Sequence, residues 1–253
     1  MKLDCVLTAV NENPLYVDFI PLFIKTWNKL YPSVDVKIIF IAQSIPIHLK
    51  PYEENLILFV PPHGISTAFI SQYIRLLYPA ILDYKNGIMI TDMDILPMNR
   101  SYYTKNIESL DENYFIYMRH VCIREYQQIA MCYNVAKNNT WADIFNITSL
   151  RDIESRLREV HDKVHYKDGH NNTGWCSDQI DLFHSIQHWK KRDTHFRILH
   201  DKDTGFRRLD RNTFDIHNKT IQNYIKQGMF SDYHCYRPYE AYKEVNEMIY
   251  NLL

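Results

Sequence analysis

Glycine is scarce in this chain, with six among 253 residues, at positions 64, 87, 169, 174, 205 and 228. No set of them spells G-x-G-x-x-G, so the dinucleotide-binding fingerprint is absent. Gly169 and Gly174 have the spacing of a P-loop, but Trp175 stands where that loop needs lysine. If the chain binds phosphates, it does not cradle them in a glycine-rich loop. Excess charge is lacking too. Twenty-nine basic side chains face 30 acidic ones, for a formal net charge of −1. That balance argues against nucleic acid as a partner. Apolar runs such as Ile38 to Ala42 are far too short to cross a bilayer, so no transmembrane segment is expected. A basic, then apolar, then small-residue start is missing, and the five cysteines are odd in number with no C-x-x-C spacing. Both features fit reduced thiols and a cytoplasmic location.

The first third of the chain alternates strand and helix. Leu3 to Val10 is almost wholly apolar, as suits a strand buried on both faces. Pro14 opens a helical pattern reaching about Leu30, with Leu15, Phe19, Phe23, Trp27 and Leu30 on one face. Val34 to Ala42 and Asn55 to Val60 read as strands, and Ser66 to Asp83 as a helix with Ser66 as N-cap. Ile88 to Thr91 is a fourth strand, entered through the Asn86-Gly87 turn. This order predicts an α/β domain with a mostly parallel central sheet flanked by helices on both faces. Later strands are expected at 114–119, 129–135, 196–199 and 229–234. Later helices are expected at 141–145, 149–164, 177–189 and 238–253. No linker or repeat divides residues 1–253.

The most informative segment is Gly87 to Met98, GIMITDMDILPM. A buried strand runs directly into Asp92-Met93-Asp94. Ligands of open α/β sheets gather beyond the carboxyl ends of the strands. Carboxylates at i and i+2 on a strand share a face, and two close carboxylates repel unless a cation lies between them. Mn²⁺ and Mg²⁺ favour oxygen ligands and bridge to diphosphate oxygens. A metal–diphosphate site would do the work of the missing glycine loop. An ordinary acidic turn after a strand is the competing reading.

The 87–98 segment resembles the D-x-D region of GT-A-fold glycosyltransferases, including small viral and microbial members. SQYIRLLYPAIL (71–82) is similar to the helix before that motif, where R-x-x-x-P is common. VLTAVNENPLY (6–16) resembles the first strand and its nucleotide-facing turn. TGWCSDQIDLF (173–183) resembles an acidic active-site segment that opens a helix. FSDYHCYRPY (230–239) resembles the late strand that offers a histidine to the metal. The segments span the chain in the family's order. The resemblance implies one GT-A-like domain, with a nucleotide-binding half (1–98) and an acceptor or sugar half (99–253).

It further implies Mn²⁺ or Mg²⁺ held by Asp92, Asp94 and His234, with Asp94 the direct ligand. Thr8, Ala9, Val10 and Asn11 would border the base and ribose, with Asp92 and Met93 also on the nucleotide side. Arg75 would reach the phosphates or brace the acidic pair. As a plain sequence feature it reads equally well as a surface helix arginine. Asp178 and Gln179 would face the donor sugar and acceptor, although Asp178 also suits a helix N-cap. His170 and Trp175 lie in a polar, aromatic loop suited to sugar hydroxyls and faces. The H-x-G-x-x-K tail of some retaining families is missing. Lys202, Arg207 and Arg208 could assist the leaving group or form a solvated basic face.

The activity so implied is transfer of a hexose or pentose from a nucleotide-sugar donor, UDP-linked in preference to GDP-linked, to a glycan or glycoside hydroxyl. A metal-dependent phosphohydrolase or nucleotidyltransferase, and a non-catalytic sugar-nucleotide-binding module, are the alternatives. The pairs His161/His165 and His184/His188 lack the inner glutamate of H-E-x-x-H and are read as ordinary histidines.

Overall fold

The structure, a computed structural model, describes residues 1–121 and 123–253, Arg124 through its backbone alone. Cys122, one of the five cysteines read as reduced, lies outside the described residues. Cys5, Cys132 and Cys235 are buried free thiols.

Among the described residues ten strands form two sheets: β1 (Leu3–Asn11), β2 (Asp35–Ile41), β3 (Leu56–Phe59), β4 (Gly87–Ile90), β5 (Ile95–Pro97), β6 (Phe115–Tyr117), β7 (Asn134–Ala136), β8 (Phe196–Ile198), β9 (Arg208–Asp210) and β10 (Asp232–His234). The large sheet runs β3-β2-β1-β4-β7-β6-β8. Only β7 is antiparallel to its neighbours. The small sheet runs β5-β10-β9. The mostly parallel α/β architecture expected from the sequence is the one observed.

Alternation along the strands explains the two layers of core. Val6 and Val10 of β1, with Val36, Ile38 and Phe40 of β2, pack on one face with Phe23 and Trp27 of α1 (Ile20–Leu30). Cys5, Leu7, Ala9, Ile39 and Ile41 pack on the other with Phe69, Tyr73 and Ile74 of α2 (Thr67–Leu77). The helices Asn138–Phe145, Leu150–Val164 and Ser177–His188 complete that second layer. Helices therefore cover both faces, and the carboxyl ends of β1 and β4 open beside one another.

Several boundaries differ from the sequence reading, each for a local reason. The first helix starts at Ile20, after a 3₁₀ turn at Val17–Phe19, instead of at Pro14. The Asn13 side chain accepts from Leu15 N, and its carbonyl accepts from Tyr16 N and Val17 N. That side-chain turn competes with helix and leaves Leu15 44% exposed. Ser66 does cap α2, accepting from Phe69 N. The α-helix stops at Leu77 because Pro79 has no N–H and its ring would meet the Arg75 carbonyl. A 3₁₀ turn, Tyr78–Ile81, follows. The strand expected at 129–135 shortens to β7, since Tyr133 takes φ 78° and breaks the extended run. Neither β5, β9 nor the Asn218-capped helix Lys219–Lys226 was expected.

No helix among the described residues is long and apolar enough to cross a membrane.

Candidate active site

β4 is anchored at its start by Gly87, where an added Cβ would lie 2.9 Å from Val135 Cγ2 and 3.0 Å from the Lys2 carbonyl oxygen. At its end, Thr91 N donates to Leu7 O across to β1. Asp92, Met93 and Asp94 follow in a turn closed by Ile95 N donating to Asp92 O. The turn rotates the two carboxylates apart instead of presenting them on one strand face. Met93 is buried in the α1-side core, so its side chain packs and does not face a ligand.

Asp92 turns toward α2 and pairs with Arg75. Arg75 is not a surface residue. It is 8% exposed and donates through Nε to Gln72 O (3.0 Å) and through Nη1 to Thr91 O (3.0 Å) and Asp92. Its Nη2 reaches Asp178 Oδ2 at 3.2 Å. A guanidinium so committed braces Asp92 and Asp178, not Asp92 and Asp94, and has little left for a phosphate. Burial would depress its basicity, but Asp92 and Asp178 outweigh that and raise it.

Asp178 is 2% exposed at the start of the Ser177–His188 helix. Its Oδ1 accepts from Gln179 N (2.8 Å) and its Oδ2 from Arg75. Burial pushes its carboxyl up to about 6, against the pull of Arg75. With both oxygens engaged inside the protein, Asp178 positions Arg75 and does not face an acceptor. Gln179 is half-buried, and its carbonyl accepts from Ile129 N.

Asp94 turns the other way, toward the small sheet. Cys235 N donates to its carbonyl (2.9 Å), which ties the D-x-D turn to the end of β10. Its carboxylate is 6% exposed, and three side chains converge on Oδ2: Arg237 Nε at 3.3 Å, Arg211 Nη1 at 3.4 Å and His234 Nε2 at 3.5 Å. His234 Nδ1 lies 2.8 Å from Asp210 Oδ1. An ionised carboxylate only accepts, so Nδ1 carries the proton and Nε2 presents a lone pair. Arg211 Nη2 donates to that lone pair. Arg237 in turn stacks 4.9 Å from the Tyr16 ring centroid and donates to its hydroxyl.

A histidine whose second nitrogen donates to a carboxylate has the tautomer and orientation of a metal ligand. Asp94 Oδ2 and His234 Nε2 converge as a carboxylate–imidazole pair, and Mn²⁺ accepts both donor types. Among the described residues no three His, Cys, Asp or Glu side chains are grouped to hold a metal ion. Asp92 is missing from the trio expected with Asp94 and His234 because Arg75 holds it elsewhere. The two residues that remain, Asp94 and His234, are of donor types that a divalent cation accepts.

The remaining candidates fall nearby or apart. Thr8, Ala9 and Val10 belong to β1, which stays paired with β2 through Asn11, so the expected turn begins later. Val10 packs in the core, and the Thr8 hydroxyl is buried without a hydrogen-bond partner. Asn11 Nδ2 donates to Thr67 Oγ1 at the start of α2. The His170 and Trp175 rings pack at a tilt of 52°, with centroids 5.0 Å apart. Trp175 lines a cavity of about 500 Å³ between the Leu150–Val164 and Ser177–His188 helices, which neither Asp94 nor His234 lines. Arg208 is tied to Asp232 at 2.8 Å and to Tyr133, while Arg207 lies over the Tyr224 and Phe230 rings. The basic residues that do reach Asp94, Arg211 and Arg237, carry no motif spacing, and nor does Asp210. The one available signal was the run His234-Cys-Tyr-Arg237, with a cation three residues past the histidine.

No protein-family profile matches the chain, and no curated protein matches it. Solved structures do. The glycosyltransferase GlyE of Streptococcus pneumoniae TIGR4 superposes with a TM-score of 0.53 at 16% identity, over 99% of this chain. The present chain spans 63% of that protein's length. The galactosyltransferase LgtC, solved with donor and acceptor sugar analogues, gives a TM-score of 0.53 at 12% identity over 98% of this chain and 96% of its own. An active-site glutamine-to-glutamate mutant of LgtC gives 0.51 at 12% identity. These likenesses show the fold, which is of the GT-A glycosyltransferase type.

Proposed function

We propose that this protein is a glycosyltransferase that moves a sugar from a nucleotide-sugar donor, UDP-linked in preference to GDP-linked, to a glycan or glycoside hydroxyl. The observation that carries this reading is the Asp94–His234–Asp210 arrangement at the carboxyl end of β4: a carboxylate oxygen and an imidazole nitrogen 3.5 Å apart, with the imidazole oriented by a second carboxylate. The GT-A-type fold supports it, as do GlyE and LgtC, which carry glycosyltransferase names. Metal dependence, the donor and the acceptor are part of the proposal.

The transfer breaks the bond from the sugar's anomeric carbon to the diphosphate oxygen, which leaves with the electron pair, and forms one to the acceptor oxygen, whose hydroxyl proton is given up to solvent. A divalent cation on Asp94 and His234 would supply Lewis-acid stabilisation of the diphosphate. The chain's own residues do the rest. Asp210 holds the His234 ring in one tautomer. Arg75, itself held by Asp178, keeps Asp92 at the mouth of the site, 32% exposed at its side chain. Asn11, at the end of β1, borders the nucleotide side. Gln179 offers a half-buried amide to the donor sugar, in keeping with the glutamine altered in the LgtC active-site mutant. His170 and Trp175 lie in the loop leading to Gln179, where an acceptor sugar would stack.

A screen of UDP- and GDP-sugars for released nucleoside diphosphate, with Mn²⁺ and with chelator, tests the reading. Metal-dependent release of UDP from one donor is the expected result. Release of free phosphate or pyrophosphate would replace it with a phosphohydrolase or nucleotidyltransferase. Tight nucleotide-sugar binding with no turnover would leave a binding module.

A further inference from the structure

The atoms that suit a divalent cation are already bridged by a cation of the chain itself. Arg211 follows β9 and reaches over the end of β10. Its Nη1 donates to Cys235 O (2.8 Å) and reaches Asp94 Oδ2 (3.4 Å), while its Nη2 donates to His234 Nε2. Asp94 Oδ2 and His234 Nε2 are both lone-pair donors, 3.5 Å apart, and they would repel without a positive group between them. The Arg211 guanidinium fills that need. Arg237 touches the same Asp94 oxygen at 3.3 Å, and Tyr16, not His234, takes its other hydrogen bond.

A divalent cation on these two atoms and the Arg211 fork cannot share them. Arg211 has one bond in the cluster that does not involve the ligand atoms, to the Cys235 carbonyl. Its side chain is 18% exposed, so the guanidinium has a path outward. Once displaced it would be an unpaired cation next to the metal, where a diphosphate presents its oxygens. Guanidinium groups pair with phosphate oxygens in a planar, two-pronged fashion.

We propose that Arg211 is an exchange residue, which bridges Asp94 and His234 and transfers to the donor's diphosphate when a divalent cation takes that position. Arg237, fixed by Tyr16, stays on Asp94 throughout. The inference rests on the metal-site reading of Asp94 and His234 and adds the order of events. The metal must compete with Arg211, and the nucleotide recovers what the metal displaces.

The exchange makes two predictions of opposite sign for Arg211→Gln. Binding of Mn²⁺ alone, followed by the loss of the free-ion paramagnetic resonance signal, should tighten by about tenfold, because a charged hydrogen-bonding competitor is gone. Binding of UDP at saturating Mn²⁺, followed by calorimetry, should weaken by about tenfold, because a charged phosphate contact is gone. Arg237→Gln removes a cation equally near Asp94 and controls for general electrostatics; it should tighten Mn²⁺ binding less than Arg211→Gln does. Arg211→Lys keeps the charge without the fork and should fall between wild type and Arg211→Gln, which covers the case of a poorly folding glutamine variant. Either half failing overturns the proposal, and so does equal tightening by the two glutamine variants. Mn²⁺ binding that Asp94→Asn abolishes and Arg211→Gln leaves unchanged sinks the exchange alone. Absence of Mn²⁺ binding from both wild type and Arg211→Gln sinks the metal-site reading with it.

Discussion

Replacing Arg75 by methionine asks the most of the site's framework. The side chains of Arg75 and Asp178 are 9% and 3% exposed and meet at 3.2 Å, whereas the Asp92 side chain is 32% exposed. The Asp92 pair is near the surface regime, where an ion pair contributes about 0–1 kcal/mol. The Asp178 pair is in the buried regime, where removing one partner costs about 3–5 kcal/mol because a charge is left without compensation. Asp178 therefore dominates the expected loss, about 3–5 kcal/mol at pH 7, or about 6–20 °C in melting temperature for a chain of this size. The loss should shrink at pH 5, where Asp178, with its carboxyl pushed up to about 6, is mostly protonated and leaves no bare charge. Arg75→Met/Asp178→Leu should recover part of the loss at pH 7, since two well-packed apolar groups replace the pair. Urea unfolding of the four proteins in a double-mutant cycle measures each quantity. A loss for Arg75→Met within about 0.5 kcal/mol of zero is what an exposed helix arginine would give, and it would refute the reasoning.

Three further outcomes are expected. Asp178 has a folded carboxyl near 6 against an ordinary value of about 3.9, so the folded state binds its proton more tightly. Its contribution to stability is complete below about pH 4 and is lost as pH rises through 6, so the melting-temperature difference between wild type and Asp178→Asn should fall over that window; a difference that grows with pH would contradict the assignment. Asp210→Asn should weaken Mn²⁺ affinity by about 10–100-fold, the usual cost of losing the carboxylate behind a histidine ligand, and unchanged affinity in a calorimetric titration would count against the His234 role. Gly87→Ala should destabilise by about 1–3 kcal/mol through overpacking against Val135 and the Lys2 carbonyl, measured by thermal melting, whereas a neutral effect would mean that β4 can shift.

The first half of the fold was legible because its strands are long enough to show their pattern. β1 and β2 run for nine and seven residues, and α1 and α2 carry clear apolar faces. The Asp92-Met93-Asp94 turn stood out because a buried strand delivers it. The partners of that turn were less legible. β5, β9 and β10 have three residues each, too few for a period to register. Asp210 reaches His234, and Arg211 reaches Asp94, only because β9 lies parallel to β10, a pairing that no local pattern encodes. Asp178 was visible as an acidic helix start. Its burial came from Arg75, 103 positions away, and that contact turns an acceptor-facing candidate into a positioning group. The two aspartates of the D-x-D were expected to share one ion. A single turn sends one to α2 and the other to β10, and a spacing of i, i+2 does not carry that rotation.

The most direct measurement is calorimetric titration of the wild-type protein and of Asp94→Ala with UDP and GDP, each with and without Mn²⁺. Binding of UDP by the wild type that requires Mn²⁺ and is lost in Asp94→Ala is the expected result. Binding that is indifferent to the metal, or that survives the substitution, would contradict a metal–diphosphate site at the end of β4.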